Sequence, residues 1–233
     1  MTLAIFDLDN TLIAGDSDYL WGKYLVDQGI VDPVTYEAAN VRFYEDYKAG
    51  TLDINAFLLF ALKPLSEHPR ATLEAWRSRF LEECILPIML PAAKQLIAAH
   101  KTRGDTLMII TATNAFVTRP IAQLYGIDHL IATEPKIHED RYTGTYDDIP
   151  CFQDGKVKRL DAWLASSEES LLESWFYSDS HNDLPLLERV THPVAVDPDA
   201  KLSSRAAKEG WPVITLRSGE DTDRMLGLLK KVP

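Results

Sequence analysis

From Pro91 onward, helical patterns alternate with short apolar runs that are typical of buried strands. Strands that alternate with helices predict a parallel sheet with helices on both faces, so we expect an α/β fold with a doubly wound, Rossmann-like sheet. A segment over 136–146 alternates in polarity and contains Thr143-Gly144, which indicates a small β-hairpin. The predicted strands are 106–111, 130–133, 174–178, 193–197 and 212–216, and the predicted helices are 91–103, 115–125, 154–165, 184–189 and 199–209, with a closing helix after 216.

The N-terminal part of the chain has a different pattern. The apolar run Ala4-Ile5-Phe6 predicts one buried strand, and a long block of helical sequence follows it. This block interrupts the sheet between its first two strands, so we expect a core domain of 1–14 and 88–233 and an inserted helical domain of 15–87. Capping and breaking residues predict helices over 17–29, 32–50, 53–62 and 69–84, with Pro64 ending the third.

The composition is that of a soluble globular protein, with 46% hydrophobic residues, 25% charged residues and a net charge of -11. This charge argues against nucleic acids and anionic membranes as partners, because both favour basic surfaces. No apolar run approaches the roughly 18 residues that a membrane span needs. Cys84 and Cys151 lie in very different surroundings and do not suggest a disulfide scaffold. Since no signal peptide is evident, we expect a cytoplasmic protein, either a monomer or a homodimer.

Two aspartates follow the first predicted strand directly, at Asp7 and Asp9. Residues i and i+2 of a strand point the same way, so their carboxylates repel each other unless a cation, a proton or a hydrogen-bond donor lies between them. Mg²⁺ prefers oxygen ligands and is the simplest such partner at neutral pH. For this pair alone, a surface turn with two solvated aspartates is an equally good interpretation.

Further polar side chains follow the later strands. In open α/β sheets ligands bind outside the carboxyl ends of the strands, so these side chains are expected to meet at one edge. Taken singly, each has an ordinary explanation, such as a helix cap, a surface lysine or a polar turn. The ordered set comprises Asp7, Asp9 and Thr11 after the first strand, Thr111, Ala112, Thr113 and Asn114 after the second, Lys156 at a helix start, and Asp179, His181, Asn182 and Asp183 after 174–178.

This set resembles the motifs of the haloacid dehalogenase superfamily of aspartate-nucleophile phosphatases. Asp7-Leu8-Asp9-Asn10-Thr11 resembles the first motif, Thr111 the second, Lys156 the third, and 179–183, in the form Asp-x-x-x-Asp, the fourth. The resemblance covers essentially the whole chain and is strongest to the phosphoserine phosphatase-like branch, with which 155–157 and 182–185 agree in residues and spacing. It implies that the inserted helical domain is a cap of the C1 type.

The resemblance also implies roles for the acids. Asp7 attacks phosphorus and forms an aspartyl-phosphate, which divides one difficult displacement into two easier ones. Asp9 acts first as the acid for the leaving alkoxide and then as the base for water, and its main-chain carbonyl ligates the metal. Asp179 completes the Mg²⁺ site with Asp7, and Asp183 supports the metal site and Lys156 without ligating directly.

The other residues of the set are expected to hold the phosphate. Thr111 donates a hydrogen bond to a phosphate oxygen, and the amide at Ala112 lies near a helix start, where anions are favoured. Lys156 supplies a fixed positive charge for the nucleophile and the transferring group. Asn182 contacts phosphate or substrate, and Thr11 supports the site. His181 is expected mainly to contact backbone or solvent.

The cap is expected to cover the site and select the leaving group. Asp16 either contacts a substrate amine, as an acidic residue does in phosphoserine phosphatases, or caps the helix that begins at Ser17. Phosphoserine phosphatases also use an arginine of the cap to bind the substrate carboxylate, and this chain has no clear equivalent. Ala112 and Thr113 stand where those enzymes have two glycines. Phosphoserine is therefore a doubtful substrate, and amino-alcohol phosphates such as histidinol phosphate stay open as substrates. Possible substitutes for that arginine are Arg42, Arg77 and Arg79. Six aromatic residues of the cap should mostly pack in the core, with one or two facing substrate: Tyr19, Trp21, Tyr24, Phe43, Tyr44 and Tyr47.

The preferred function is therefore a Mg²⁺-dependent phosphomonoester hydrolase that acts on a small phosphorylated metabolite. A phosphotransferase or phosphomutase on the same scaffold is the main alternative. A binding protein without activity is disfavoured because no residue that the chemistry needs is missing. Dehalogenation is disfavoured by Asp9 and by the acidic fourth motif, since carbon–halogen cleavage needs no metal.

Overall fold

The computed structural model describes residues 2–218, 226, 227 and 229. Within them, seven strands form one sheet in the order β4-β3-β2-β1-β5-β6-β7, with only the β3–β4 pair antiparallel. The strands are β1 (Leu3–Phe6), β2 (Thr106–Asn114), β3 (His129–His138), β4 (Arg141–Asp147), β5 (Trp175–Ser178), β6 (His192–Val196) and β7 (Val213–Ile214). The α-helices are α1 (Ser17–Asp27), α2 (Pro33–Ala49), α3 (Ile54–Glu67), α4 (Arg70–Phe80), α5 (Pro91–Thr102), α6 (Ala115–Tyr125), α7 (Asp154–Ala165), α8 (Leu184–Leu187) and α9 (Ala200–Glu209).

The central strands of the sheet, β1, β2 and β5, are buried on both faces. Along β1, Ala4 and Phe6 join the apolar cluster that contains side chains of α5 and α6, whereas Leu3 and Ile5 join the cluster that contains side chains of α7, α8 and α9. Alternate residues of a strand point to opposite faces, so an apolar strand of this kind requires cover on each side. The α/β, doubly wound sheet predicted from the sequence is confirmed.

The helical block lies between β1 and β2, as predicted. One of its helices has both of the expected ends, since the Asp32 side chain caps α2 and Gly50 ends it with φ 79°. The third helix differs from the prediction: α3 runs through Pro64 to Glu67. Proline removes one hydrogen bond and crowds the preceding turn, but it lies near the end of α3, beside the fully buried Leu62 and Leu65, whose packing holds the last turn.

The fourth helix is shorter and less regular than predicted. α4 ends at Phe80 and continues as a π-helical turn over Leu81–Ile85 and a short 3-10 turn over Leu86–Ile88. The wider π turn allows Phe80 and Ile85, which are both fully buried, to face the core together.

The chain crosses between sheet and helical block at two adjacent points. Ile13 and Met89 form an isolated antiparallel bridge. The Ala14 amide donates to the Ile88 carbonyl at 2.8 Å. The two connections are thus hydrogen-bonded to each other; the domain boundaries of 15–87 stay a prediction.

The hairpin was predicted in the right region but with the wrong turn. β3 is one continuous strand that leaves β2 and then pairs with β4, instead of a short strand at 130–133 followed by a separate hairpin. The turn is at Glu139 and Asp140, with φ of 46° and 60°, and not at Thr143-Gly144. Gly144 lies inside β4 at φ 79°, where a Cβ would be 3.0 Å from the Ser66 hydroxyl of α3, so the glycine allows the hairpin to pack on the helical block.

The remaining elements differ from the predictions mainly at their ends. β2 continues to Asn114 instead of ending at Thr111, and β7 is limited to Val213–Ile214. The predicted closing helix falls largely outside the described residues. Among those that are described, no helix combines the length and apolar character that crossing a membrane requires.

Candidate active site

A buried lysine lies between two carboxylates at the carboxyl ends of β1 and β5. Asp7 follows β1 directly, and both Asp7 and Lys156 are buried. The Lys156 ammonium donates to Asp7 Oδ1 at 2.8 Å and to Asp183 Oδ2 at 2.9 Å. The Ser178 hydroxyl, at the end of β5, also donates to Asp183 Oδ2, at 2.7 Å. The first, third and fourth sequence motifs therefore meet in one hydrogen-bonded network.

A glycine allows Lys156 to reach this network. A Cβ on Gly155 would lie 2.0 Å from the carbonyl oxygen of Pro150, a distance that no side chain tolerates. The preceding Gln153 has φ 48°, so the chain turns sharply into α7. A larger residue at Gly155 would push the start of α7, and Lys156 with it, away from Asp7.

The Thr11 hydroxyl connects Asp7 with Asp179. Its oxygen lies 3.3 Å from Asp7 Oδ2 and 3.2 Å from Asp179 Oδ1, and it accepts a hydrogen bond from the Asp179 amide at 3.1 Å. One hydroxyl hydrogen can donate to only one carboxylate at a time. The facing oxygens of Asp7 and Asp179 therefore share a single donor.

Asp9 is held by three donors. The Ser17 amide donates to its Oδ1 at 2.6 Å, and the hydroxyls of Thr113 and Thr111 donate to its Oδ2 at 2.8 and 3.4 Å. Sequence reasoning gave Thr111 a role in the site, but it placed Thr113 in the set after the second strand without a role. The Thr-x-Thr spacing was the available signal, because alternate strand residues share a side and β2 runs past Thr111. Sequence reasoning also left out Ser178, which ends β5 and donates to Asp183.

Burial shifts the ionisation of these groups. It raises the pKa of Asp7 to about 7, with Asp183 and Asp9 adding to the rise and Lys156 opposing it. It also raises the pKa of Asp9, and that of Asp179 well above its ordinary range. Burial alone would lower the pKa of Lys156, but Asp183 and Asp7 raise it above its usual value. The carboxyl groups of Asp7, Asp9, Asp179 and Asp183 thus have only the Lys156 ammonium to balance their negative charge among the described residues of this network.

A divalent cation fits this donor set. Mg²⁺ is usually held by one or two carboxylates together with water and substrate phosphate. Asp7 and Asp179 supply two such carboxylates around Thr11. No group of three or more His, Cys, Asp or Glu side chains within the described part of the chain forms a ready-made metal cage. The residues present fit Mg²⁺ held partly by substrate, with the Asp9 carbonyl as the ligand that the resemblance implies.

A cavity lies between this sheet edge and the helical block. Its walls are acidic and aromatic, and none of the described residues that line it is Lys, Arg or His. Tyr19, Phe43, Tyr44 and Tyr47 of the six cap aromatics line it, whereas Trp21 and Tyr24 belong to the apolar core. The lining residues are Asp7, Asp9, Asp16, Asp18, Tyr19, Asn40, Phe43, Tyr44, Tyr47, Leu52, Ile54, Phe57, Thr111, Ala112 and Thr113.

Asp16 caps α1 and also lines the cavity, whereas its contact with a substrate amine stays a prediction. Its Oδ1 accepts hydrogen bonds from the amides of Asp18 at 3.0 Å and Tyr19 at 2.8 Å, so it caps α1. It also lines the cavity. Burial, with a contribution from the neighbouring Asp9, raises the pKa of Asp16 to about 7.

The three cap arginines are not among the residues that line the cavity. Arg42 lies over the Phe43 ring, 4.7 Å from its centre. Arg77 donates to the Phe116 carbonyl at 2.8 Å, and Arg79 is exposed. None of them is a described lining residue that could meet a carboxylate in the cavity.

Asn182 connects the core to the helical block. Its side-chain amide donates to the Tyr47 carbonyl, near the end of α2, at 3.1 Å. Its oxygen accepts from Gln153 at 3.0 Å. Both ends of the amide are thus engaged, and a contact between Asn182 and substrate stays a prediction.

His181 belongs to a second connection at the end of α2. Its ring Nδ1 lies 2.7 Å from Asp199 Oδ2, and its Nε2 lies 3.3 Å from the Lys201 ammonium. Lys201 donates in turn to the Ala49 carbonyl at 2.8 Å. A Cβ on Gly50 would be 2.7 Å from His181 Nε2, so only glycine allows this approach. We call the contacts of Asn182 and Lys201 with α2 the cap latch.

Comparisons with known proteins agree on the class. The model of the haloacid dehalogenase-like hydrolase family matches residues 4–188. A histidinol-phosphatase of Neisseria meningitidis serogroup C (strain 8013) is 45% identical over 219 residues, which cover 92% of this chain and 99% of that protein.

Solved structures show the same fold. A protein with unknown function from Bordetella pertussis Tohama I superposes with a TM-score of 0.87 at 41% identity, over 93% of this chain and 100% of that one. A substrate-bound phosphoserine phosphatase superposes with a TM-score of 0.70 at 16% identity, over 100% of this chain and 98% of that one. Because the identity is this low, the second comparison supports only the fold.

Proposed function

This chain belongs to the haloacid dehalogenase-like hydrolase family as a phosphatase, and we propose that it is a Mg²⁺-dependent enzyme that hydrolyses the phosphate monoester of a small amino alcohol, with L-histidinol phosphate as the preferred substrate. The observation that carries the proposal is the position of Asp7. It is held by Lys156 at the floor of a cavity whose lining contains further acids and, among the described residues, no basic side chain.

Asp7 is the nucleophile in this mechanism. Lys156 and Thr11 hold its two oxygens, which fixes the carboxylate for attack on phosphorus in line with the leaving group. The bond to the ester oxygen breaks as the bond from Asp7 to phosphorus forms. A water molecule then attacks phosphorus and releases Asp7 and inorganic phosphate.

Asp9 carries the proton in both steps. Burial raises its pKa, which favours the protonated form that can give a proton to the leaving alkoxide. The resulting carboxylate then takes a proton from the attacking water. Thr113 and the Ser17 amide hold the two carboxylate oxygens of Asp9, so the acid is aimed before substrate arrives.

In this proposal the phosphate is bound by Lys156, the Thr111 hydroxyl and the amide of Ala112. Asp7 and Asp179, with the carbonyl of Asp9, would hold Mg²⁺. When bound, the ion neutralises the charge that nucleophile and phosphoryl group bring together. Asp183 fixes Lys156 from the opposite side.

The substrate assignment follows from charge. Asp16 in the cavity suits an ammonium group, and the described lining offers no basic partner for a carboxylate. Histidinol phosphate has an amine and no carboxylate, whereas phosphoserine has both. The relative named a histidinol-phosphatase, at 45% identity over nearly its whole length, supports the same choice.

The test is a comparison of kcat/KM for L-histidinol phosphate, O-phospho-L-serine and an aryl phosphate with Mg²⁺ present. We expect histidinol phosphate to be preferred, all activity to stop with EDTA, and added Mg²⁺ to restore it. Full activity after chelation would refute the metal assignment, and preference for phosphoserine would refute the substrate. Acceptor alcohols added to the assay should not collect the phosphoryl group; efficient transfer to them would favour a phosphotransferase.

A further inference from the structure

The cavity contains a second polar pair beyond Asp16, on the side of the helical block. Asp18 in α1 and Asn40 in α2 both line the cavity, and they are 9% and 6% exposed. We call them the distal pair. Neither has a part in the phosphoryl chemistry, which takes place at the sheet edge.

Both members of the distal pair have acceptor oxygens that are not used. Among the described residues, no donor reaches the Asp18 carboxylate within hydrogen-bonding distance, in contrast to Asp16 and Asp9. The Asn40 amide donates to the Tyr19 carbonyl at 3.0 Å, and no described donor reaches its oxygen. Both residues line the cavity, so these oxygens are free to accept hydrogen bonds from a bound ligand that brings donors.

Packing fixes the position of Asn40. A Cβ on Gly22 of α1 would lie 2.8 Å from both the nitrogen and the oxygen of the Asn40 amide. The glycine therefore allows α2 to bring Asn40 against α1. Since the nitrogen is used by Tyr19, the oxygen is held in place as an acceptor at the cavity wall.

Aromatic side chains form the surrounding walls. The rings of Tyr19 and Tyr44 lie 4.9 Å apart, and those of Phe43 and Phe57 lie 5.5 Å apart. All four line the cavity. Aromatic faces attract flat rings and cations, and the unused oxygens attract N–H groups.

The electrostatic surroundings of Asp18 favour the same kind of ligand. Burial raises the pKa of Asp18 well above its ordinary range, and the charges of Asp16 and Asp9 add to the rise. A positively charged group beside Asp18 would offset this penalty.

We propose that the distal pair recognises a cationic, N–H-bearing ring on the leaving group and thereby selects substrates that carry an imidazole. This inference rests on the proposed phosphomonoesterase activity and adds its substrate-selecting residues. Asp18 and the Asn40 oxygen accept the ring N–H groups, the aromatic walls enclose the ring, and Asp16 takes the amine. The phosphate end of the same molecule then reaches Asp7.

The experiment compares Asp18→Asn and Asp18→Ala with the wild type on three substrates: L-histidinol phosphate, the ring-free O-phosphoethanolamine and an aryl phosphate. We expect kcat/KM for histidinol phosphate to fall about tenfold or more in both variants, mainly through KM, because a charged hydrogen bond is lost. The other two substrates should change less than about twofold. Asp27→Asn is the matched control, because Asp27 lies on the same helix in an exposed ion pair with Lys23.

Product inhibition provides a readout that does not depend on turnover of histidinol phosphate. Histidinol should inhibit the wild-type hydrolysis of aryl phosphate more strongly than ethanolamine does, and Asp18→Asn should reduce that difference. Equal losses on all three substrates, or no loss on histidinol phosphate, would overturn the role of the distal pair. A wild type that cleaves phosphomonoesters without preferring the ring would overturn this inference alone, whereas one that cleaves none would also overturn the proposed function.

Discussion

The floor and the roof of the cavity use polar groups in different ways. On the floor, at the sheet edge, the acids are held by partners of the protein itself, such as Lys156 between Asp7 and Asp183. In the roof, which consists of the cavity-lining residues of the helical block, the oxygens of Asp18 and Asn40 have no donor among the described residues. Aromatic rings of the same block line the cavity beside them. The comparison suggests that the floor is arranged before any substrate binds, whereas the roof is completed by the substrate. Floor substitutions should therefore affect every substrate, and roof substitutions only those with nitrogen groups.

The largest effect is expected for Asp7→Asn. The variant loses the proposed nucleophile, so turnover of every phosphomonoester should fall by roughly a thousandfold or more. Asparagine has the same shape and keeps an acceptor for Lys156, so the protein should stay folded. Aryl phosphate hydrolysis and a thermal melt test both points. Hydrolysis at the wild-type rate would reject Asp7 as the nucleophile.

Lys156→Met should damage both activity and stability. It leaves Asp7 and Asp183 buried without their shared cation, which costs about 3 kcal/mol or more when a buried pair is broken from one side. Denaturant unfolding gives the stability and kcat/KM the activity. Lys158→Met, an exposed position on the same helix, is the control and should change neither. Equal free energies of unfolding for the two variants would show that the ion pairs of Lys156 with Asp7 and Asp183 do not stabilise the protein.

The pH dependence tests the roof at Asp16. Burial raises the pKa of Asp16 to about 7, so the carboxylate is neutral below that pH and charged above it. Selectivity for O-phosphoethanolamine over aryl phosphate, as a ratio of kcat/KM values, should therefore rise by about tenfold as the pH passes upward through about 7, since a charged hydrogen bond to the amine is gained. Asp16→Asn should make the ratio low and flat while keeping the cap of α1. A ratio that rises unchanged in the variant would assign the titration to another group.

The smallest effect is expected at the cap latch, which joins floor and roof. Lys201→Ala removes one hydrogen bond to the end of α2, at the Ala49 carbonyl. One such bond is worth about 1 kcal/mol, so kcat/KM should fall roughly fivefold for all substrates alike. Lys208→Ala, exposed on the same helix, is the matched control. A loss restricted to amine substrates would mean that Lys201 acts on the roof and not on closure.

Sequence reasoning works best where the fold itself brings residues together. Parallel strands end at a common edge, so short motifs far apart in the chain, such as Asp7 and Asp183, could be expected to meet. Thr113 was given no role because the strand end was set at Thr111, three residues before β2 ends. Tertiary packing also overrode local signals in Pro64, which does not end α3, and in Glu139 and Asp140, which form a hairpin turn without glycine.

The roof was harder to predict for a physical reason. Each roof helix contacts both the cavity and an apolar core, so a polar residue such as Asp18 looks like part of a solvated face. Nothing in local spacing distinguishes the aromatics that line the cavity, such as Tyr44, from those that pack in the core, such as Trp21. Only the packing of α1 against α2 reveals which side chains face the cavity.

The bridge between Ile13 and Met89 brings the start and the end of the helical insertion side by side. Antiparallel partners of this kind place their α-carbons about 5 Å apart, so the chain leaves the sheet domain and returns to it at nearly the same point. An entire roof from a relative could thus be spliced in at this seam without moving Asp7 or Lys156. The family could acquire new substrates by such replacement while its reaction stays the same.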